Sequence, residues 1–589
     1  MIMTIRLKKL VSCLLVVVLA FTMLAGCNKS DTKDANKPGT EATKAPAQDK
    51  NEDPAKPAEA DPLAAGIRGN TAPSEEEKAM VNDTLEDSYL GDVFDTVIPN
   101  DYSAYPMDAT LDIWMPSNSI LASVCDDLNN QMVLDQMEKL TGIKVNFIVP
   151  PLGEEATNFN MMIASQELPD IIIDAGRYVG GIAAGVAEGA YLPLNDIIEE
   201  KMPNYSAWRN SDEERRVTSV LDNGTIGAVY GLAPYNEWCW FGMLIKQEAL
   251  DKTGMAPPET IDEWHDFLVA CKKAGYNEPL NYGSTYGQIF TGIINGAYGV
   301  WDWVYVDKDG KAAWGPAAPG AKDYLTTMQQ WYAEGLLNKD WATADFNQRM
   351  AEAASSDCAA MMDSPDTMWG YWKQDNNIDF VGVLNPVLKK GDKPQQTYKN
   401  FKSTGTIAAI TTQCDNLDAA CAFLDFAYTK KGWELLNFGS YGDVHLVDDK
   451  GMPYFPEDGL MYNDPDQQPL SNLIWKYRIH VFSNIRDEHN SNPLITAKGS
   501  YSGDIREYWT SNTDDSVTMP PISFTSEESA REGELGTILS TMRNEYFAKI
   551  IMGQLPVSAY DEFLEKAKAQ GMDEFVSLWQ AALDRYNAR

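Results

Sequence analysis

Aromatic residues of this 589-residue chain form three clusters that do not follow helical periodicity. An aromatic ring can stack on a flat apolar C–H surface, and polar groups beside it can bind hydroxyls. We therefore predict that these rings line a site for a ligand that offers both surfaces, although tryptophan is also commonly buried in a core. The clusters are Tyr235, Trp238 and Trp240; Trp301 and Trp303, which alternate as on a strand; and Trp369, Tyr371 and Trp372.

Polar side chains that could bind the same ligand follow the predicted strands. Parallel α/β sheets bind ligands beyond the carboxyl ends of their strands, so residues at those ends are candidates. Arg177 could donate a fork of hydrogen bonds to neighbouring hydroxyls or to a carboxylate, or it could form a surface salt bridge. The strand-end candidates are Trp114, Ser117, Asn118, Asp174 and Arg177, and the further candidates are Asp363, Lys402, Tyr441 and His445.

Sequence signatures of catalysis are not found. The four histidines have no metal-ligand spacing, and segment 499–503 has Tyr501 where a GxSxG motif has serine. We therefore expect no catalytic residue, no metal and no cofactor. The alternating acids of 307–310 are compatible with calcium, but the oxygen set of an EF-type loop is incomplete, and a hairpin turn is favoured.

The elements that must position these residues alternate between strands and helices. Such alternation predicts an α/β fold with a mainly parallel sheet. Apolar residues at helical spacing predict four further helices, and a turn sequence predicts a hairpin over 304–314. The predicted strands are 111–114, 144–149 and 171–173, and the predicted helices are 121–140, 158–165, 261–271, 323–336, 419–428 and 575–586.

The first 27 residues are typical of an export signal. Three basic residues precede an apolar run over 10–24, which is too short for a transmembrane helix. The run ends in Leu-Ala-Gly-Cys27, which resembles the bacterial lipobox and implies a lipid on Cys27. Residues 28–95 are predicted to form a disordered tether and lead-in, because the segment up to 75 is charged, contains proline and lacks aromatic residues.

Length and charge limit the possible architecture and partners of the remaining chain. About 500 residues are too many for one core and indicate two lobes. The formal net charge of −38 argues against binding nucleic acid.

Seven segments resemble the extracellular solute-binding proteins that serve carbohydrate ABC importers, in the branch of large lipoproteins. Each segment is short, but their order and spacing extend over most of the chain after the tether. The segments are 141–145 (TGIKV) with 168–171 (LPDI), 191–195 (YLPLN), 250–264 (LDKTGMAPPETIDEW), 331–338 (WYAEGLLN), 547–560 (FAKIIMGQLPVSAY) and 582–586 (ALDRY).

The resemblance implies a two-lobed periplasmic-binding-protein-like fold of type II, in which each lobe has a mainly parallel sheet flanked by helices and a hinge joins the lobes. The expected N-terminal lobe comprises 96–232 and 380–428, and the C-terminal lobe comprises 233–379 and 429–589. By analogy, the chain passes between the lobes near 230–233, near 380–383 and after Tyr428. Closure is then favoured when one ligand contacts both lobes.

The resemblance also implies a function and its partners. We expect a lipoprotein that captures a carbohydrate of the oligosaccharide class between the lobes and delivers it to the permease subunits of an ABC importer. The protein is expected to be a monomer, anchored through Cys27 to the outer face of the bacterial cytoplasmic membrane. A lipid-anchored carbohydrate-active enzyme, a peptide-binding protein and a sensor subunit that presents its ligand to a kinase stay open as alternatives.

Overall fold

A computed structural model describes residues 101–283, 293–344, 346–367, 378–397, 399–448, 452–478 and 484–589. The strands are β1 Ala109–Trp114, β2 Ile143–Ile148, β3 Ile171–Ile173, β4 Val229–Leu232, β5 Gly242–Lys246, β6 Leu280–Asn281, β7 Val304–Val306, β8 Ala312–Trp314, β9 Ala360–Asp363, β10 Phe380–Val383, β11 Ser403–Ile410, β12 Leu446–Val447 and β13 Pro453–Tyr454.

Helices flank these strands throughout the described ranges. Within those ranges, no helix has both the length and the apolar content needed to cross a bilayer. The helices are α1 Ser119–Val124, α2 Met132–Thr141, α3 Glu155–Ser165, α4 Gly181–Ala187, α5 Asn195–Lys201, α6 Pro203–Asn210, α7 Glu213–Thr218, α8 Gln247–Thr253, α9 Ile261–Lys273, α10 Ala321–Ala333, α11 Phe346–Ala354, α12 Pro365–Thr367, α13 Leu417–Phe426, α14 Lys430–Phe438, α15 Leu470–Lys476, α16 Glu488–Ser491, α17 Pro493–Thr496, α18 Ser502–Asn512, α19 Ser526–Ile551, α20 Ala559–Ala569 and α21 Met572–Tyr586.

The first sheet has five strands in the order β2-β1-β3-β11-β4. Strands β2 and β3 pair with β1 in parallel, whereas β11 runs antiparallel to both β3 and β4. Both faces are covered, because alternate residues of β3 enter two separate cores: Ile171 and Ile173 enter one and Ile172 the other. This double burial explains why β3 is an unbroken apolar run. We call this sheet and the helices packed on it the first body.

The second sheet has four strands in the order β10-β5-β9-β6. Strand β5 is antiparallel to β10 and to β9, and only the short β6 pairs with β9 in parallel. Each sheet therefore contains one strand that runs against the others, β11 in the first sheet and β5 in the second. The other strands of each sheet share one direction, so the expected α/β fold with mainly parallel sheets is confirmed. We call this sheet and its helices the second body.

The bounds of the two bodies differ from the sequence-based lobes. Strand β10 pairs with β5, so 380–383 lies in the second body, and the return to the first body falls between β10 and β11. The chain stays in the first body after Tyr428, because Trp433 of α14 and Leu473 of α15 are buried in the same core as β1. The third passage lies near 497–501, since α18 packs on strands of the second sheet through Trp509.

Several local predictions are confirmed. Thr260 begins α9 with a reciprocal capping box to Glu263, and α10, α13 and α21 lie where apolar spacing placed helices. The hairpin β7–β8 turns at Asp307, whose carboxylate accepts hydrogen bonds from the backbone N–H groups of Asp309 and Lys311. The predicted helix 121–140 is instead two helices, because the side chain of Asp127 accepts a hydrogen bond from the backbone N–H of Asn129 and interrupts the segment.

The last helix of the chain ties the second body to the first. Arg585 and Arg589 both donate hydrogen bonds to the carboxylate of Asp222, at 2.6 Å from each arginine. Arg585 also binds Glu528 of α19. Burial alone would raise the pKa of Asp222, but the hydrogen bonds from both arginines outweigh it and lower that pKa. The cluster is therefore a charged link between α21 and the segment that follows α7.

Candidate functional site

Strand directions bring most of the predicted polar residues to one edge of the first sheet. Strands β1, β3 and β4 all run the same way, because β11 is antiparallel to both of its neighbours. Their carboxyl ends therefore share an edge with the beginning of β11. That edge carries Ser117 and Asn118 after β1, Asp174 and Arg177 after β3, and Lys402 before β11.

The matching edge of the second sheet lies where β5 begins. Gly242 of β5 pairs with Asp363, the last residue of β9, and Met243 pairs with Val383, the last residue of β10. The segment 233–241 runs from the edge of the first sheet to this edge, and it contains Tyr235, Trp238 and Trp240. The topology thus gathers candidates from distant parts of the chain where the two bodies meet.

A polar cluster forms on the first body around Glu155, at the beginning of α3. Ser117 donates a hydrogen bond to its carboxylate, and the positive charge of Arg177 lies close enough to help lower the pKa of Glu155, after the hydrogen bonds from Ser117 and Gly153. Arg177 also pairs with Asp174 at 2.5 Å. Asp174 has a left-handed backbone with φ of 59°, which is uncommon outside glycine. Such conformations concentrate at functional sites.

Aromatic rings stack at the junction of the two bodies. The imidazole of His489 lies between Tyr235 and Trp238, with ring centroids 3.8 Å and 3.6 Å away and interplanar angles of 10° and 20°. The Tyr235 hydroxyl donates to Asp487 and accepts from the backbone N–H of His489. Trp238 is half-buried, so part of its ring surface stays available. Trp240 is half-buried beside Phe241.

The second body supports this stack through one buried arginine. Arg506 of α18 donates to the backbone carbonyl of Trp238 at 3.3 Å and pairs with Asp366 at 3.1 Å. Asp366 follows β9 and also accepts hydrogen bonds from Ser502 and from Asn492. These contacts connect the end of β9, α18 and the segment carrying the rings.

Other predicted site residues have structural roles. Asn118 caps α1, and Lys402 pairs with Asp212 at 2.6 Å while its backbone joins Ala233. Asp363 is fully buried, and Tyr441 is exposed on the first body, in edge contact with His445.

Four of the predicted residues are part of the packed interior. Trp114 and Trp301 are at most 1% exposed, and Trp303 packs edge-on against Phe575. His445 is 1% exposed and its Nε2 lies 2.9 Å from Glu434. Trp114, Trp301 and His445 are therefore buried in the interior rather than at a ligand surface, whereas Trp303 is half-buried and packs against the core of the second body. Trp301 and Trp303 also precede β7, so the prediction that these two residues alternate along a strand was wrong.

Some predictions fall on residues outside the described ranges. These are Cys27 and the cluster of Trp369, Tyr371 and Trp372. Among the residues that are described, His, Cys, Asp and Glu form no group of three or more that could hold a metal ion.

The sequence-based candidates did not include Glu155, His489, Arg506 or Asp366. A single histidine or arginine has no spacing that marks it, and each of these reaches the site only because its segment packs against another part of the chain. The run of charged residues at 486–488 was the one local signal beside His489.

Comparisons with known proteins agree with this architecture. Lipoprotein LipO of Bacillus subtilis is 23% identical over 470 residues, which cover 75% of this chain and 87% of that protein. The fructooligosaccharide ABC transporter substrate-binding protein FusA of Streptococcus pneumoniae is 21% identical over 505 residues, covering 78% and 88%. The crystal structure of the alginate-binding protein AlgQ2 superposes with a TM-score of 0.65 at 21% identity, over 81% of this chain and 98% of that one.

The shared fold is the two-lobed, type II periplasmic-binding-protein fold, with a hinge between the lobes. The family profile described as bacterial extracellular solute-binding protein matches residues 130–432, about half of the chain. The matched region begins after β1 and ends within α14, so it includes the second sheet, the first sheet apart from β1, and the segment with Tyr235 and Trp238. The chain therefore belongs to the bacterial extracellular solute-binding protein family.

Proposed function

We propose that this protein is the substrate-binding lipoprotein of an ABC importer, and that it captures an oligosaccharide where its two bodies meet and delivers it to the membrane permease. The observation that carries the proposal is the stack of Tyr235, His489 and Trp238, in which the two outer rings belong to the segment joining the two sheets and His489 belongs to α16. A ring held rigidly by stacking loses little conformational entropy when a ligand packs against it. That rigidity suits the weakly polar C–H face of a sugar.

The polar cluster on the first body supports the same ligand class. Arg177 and Glu155 are charged groups at the edge of the sheet, and both can bind hydroxyl groups. Family membership supports solute binding rather than catalysis, and FusA, by its name, binds fructooligosaccharides. A site shared between two bodies favours the closed form only when ligand is present, which lets a permease distinguish loaded from empty protein.

Membrane attachment is proposed through Cys27. The lipobox-like end of the leader supports it, and the relative LipO is a lipoprotein by name. Two or more acyl chains would hold the protein stably at the outer face of the membrane, where the tether lets a monomer reach the permease. Substituting Cys27→Ala should release the protein from the membrane fraction into the medium.

Titration calorimetry with purified protein tests the capture of carbohydrate. A panel of kestose, maltotriose, xylotriose and trigalacturonate should contain a sugar that binds with one site per chain. Chromatography of the same mixtures should show no shortened sugar, since turnover would favour the enzyme alternative. Binding of oligopeptides instead of any sugar would favour a peptide-binding protein.

A deletion strain separates import from sensing. Loss of sugar uptake with unchanged induction of sugar-responsive genes would support import. The opposite pattern would support a sensor subunit.

A further inference from the structure

Glu237 has a buried carboxyl group whose two oxygens have no hydrogen-bond partner among the described residues. It lies between Tyr235 and Trp238 in sequence, on the segment that joins the two sheets, and it is 8% exposed. A buried carboxyl without a partner loses its hydration and gains no hydrogen bond in return, which is unfavourable. Such a group is expected where a ligand supplies the missing hydrogen bonds.

The imidazole of His489 shares this property. Its Nε2 is buried without a hydrogen-bond partner among the described residues and lies 3.8 Å from the nearer carboxyl oxygen of Glu237. This separation is too long for a direct hydrogen bond, but one oxygen atom can lie about 2.8 Å from both groups. A hydroxyl suits the position, because its single oxygen can donate to one group and accept from the other.

The positive charges around Glu237 already have partners. Arg506 pairs with Asp366 at 3.1 Å, and Arg486 lies 3.3 Å from Glu488. Both guanidinium charges are therefore balanced by carboxylates, although the buried Nε of Arg506 keeps a hydrogen-bond donor that is unused among the described residues. A ligand carboxylate would meet the acid groups of Glu237, Asp487 and Glu488, whereas a hydroxyl brings no charge.

The two groups are covered by elements from both bodies. The segment 484–489 joins the first body, since Ile485 bridges to Leu232 and Asp487 binds Asn437. Arg506 belongs to α18, which packs on the second sheet. Relative movement of the two bodies would therefore uncover Glu237 and His489 together.

We propose that Glu237 and His489 bind one hydroxyl group of the sugar between them, and that this pair selects neutral oligosaccharides over sugar acids. The inference rests on the proposed capture of carbohydrate, and it names the chemistry of the ligand and two residues that contact it.

The protonation state of Glu237 makes sugar binding depend on pH. Burial, followed by the negative charge of Glu488, raises the pKa of Glu237 to about 8, against the opposing charges of Arg486 and Arg506. The other charged group facing it is Asp487, and burial and the charge of Arg506 lower the pKa of His489 to about 3. Both groups are therefore neutral at pH 7, and ionisation of Glu237 above about pH 8 opposes closure around a neutral sugar.

Calorimetry on variants tests whether Glu237 and His489 bind the ligand. The ligands are the neutral sugar and the uronate from the panel that bind the wild-type protein best. Glu237→Leu should weaken binding of the neutral sugar about tenfold or more, as expected for a lost buried hydrogen bond. Glu237→Gln imitates the protonated acid, so it should bind within about threefold of wild type at pH 7. Between pH 7 and 9.5, affinity should fall for wild type and stay constant for Glu237→Gln.

The matched control is Glu532→Gln, a half-buried carboxyl of α19 whose pKa is also raised by burial. It should bind as wild type does at every pH. Thermal unfolding identifies any variant that does not fold. The pH profile of wild-type binding tests the role of Glu237 without any variant.

The outcomes are separable. Unchanged affinity in Glu237→Leu, a flat wild-type pH profile, or preference for trigalacturonate over every neutral sugar would overturn this pair while leaving carbohydrate capture intact. Absence of binding for all sugars by wild type would overturn both proposals.

Discussion

The indole of Trp238 lies almost parallel to the imidazole of His489, with ring centroids 3.6 Å apart, although 251 positions of sequence separate the two residues. Trp238 belongs to the first passage between the sheets, and His489 belongs to α16. The contact therefore joins two passages of the chain at the point where the bodies meet. A ligand that packs on Trp238 therefore contacts an indole whose orientation depends on both passages.

Replacing Trp238 with alanine should weaken sugar binding about tenfold, because ring stacking contributes roughly 0.5–1.5 kcal/mol beyond the apolar area that it buries. Trp240→Ala should act in the same direction. Calorimetry with the sugar that binds wild type provides the measurement. The control is Trp579→Phe, a half-buried ring on α21 that contacts Phe524, and its affinity should be unchanged. Wild-type affinity in both alanine variants would identify Trp238 and Trp240 as packing residues.

Acid should destabilise the protein through Glu434. Burial alone would raise its pKa, but the hydrogen bond from His445 and the charge of Lys431 outweigh it and lower the pKa from 4.5 to about 2. A lowered pKa means that the stabilisation is complete above about pH 4.5 and is lost as the pH falls toward 2. The difference corresponds to about 3 kcal/mol. Urea unfolding between pH 3 and 7 should show a shallower acid dependence in Glu434→Gln, and an identical slope would contradict this assignment.

The pairing of Asp222 with Arg585 and Arg589 should contribute more stability than an exposed ion pair of the same type. Asp222→Ala leaves Arg589 unpaired with its side chain 4% exposed, which should cost about 3 kcal/mol. Arg531→Ala breaks the exposed pair with Glu574 and should cost at most about 1 kcal/mol. Urea denaturation of both variants makes the comparison. Equal losses would mean that burial does not distinguish the two pairs.

Gly142 should tolerate no side chain. It ends α2 with φ of +67°, and a Cβ there would overlap the backbone of Met107. Gly142→Ala should therefore destabilise the protein by about 3 kcal/mol or more, from backbone strain together with overpacking. Gly153 has φ of +88° but no atom near its missing Cβ, so Gly153→Ala should cost only about 1 kcal/mol. The melting temperatures of the two variants measure this difference. Similar values would refute the claim that the Met107 backbone excludes a side chain at Gly142.

Strands β1, β2 and β3 of the first sheet could be predicted from sequence because their signals are local. The apolar run of β3 specifies its own structure, as does the capped, periodic sequence of α9 in the second body. The second sheet could not be predicted, since β6 has two residues and β9 and β10 have four each. Strands that short carry too few alternations to define a pattern, and their pairing is decided by tertiary contacts.

Dependence on tertiary contacts also explains why some predicted site residues lie at the sheet edge and others are buried. Strand ends located Ser117, Asp174 and Arg177 correctly at one edge, because direction and order follow from the predicted α/β alternation. The burial of Trp114 and Trp301 was not predictable, because an indole has the same local appearance in a core and in a binding site.

The three passages of the chain between the sheets have a consequence for fragments of this protein. A fragment that ends at residue 241 would keep β1 to β4 but lack β11, the strand that joins β3 to β4. Its last strand would then have no neighbour, and an unpaired strand edge is an aggregation hazard. Neither half can be expressed as a self-sufficient module by simple truncation, so a split reporter built on this scaffold would need both fragments present during folding.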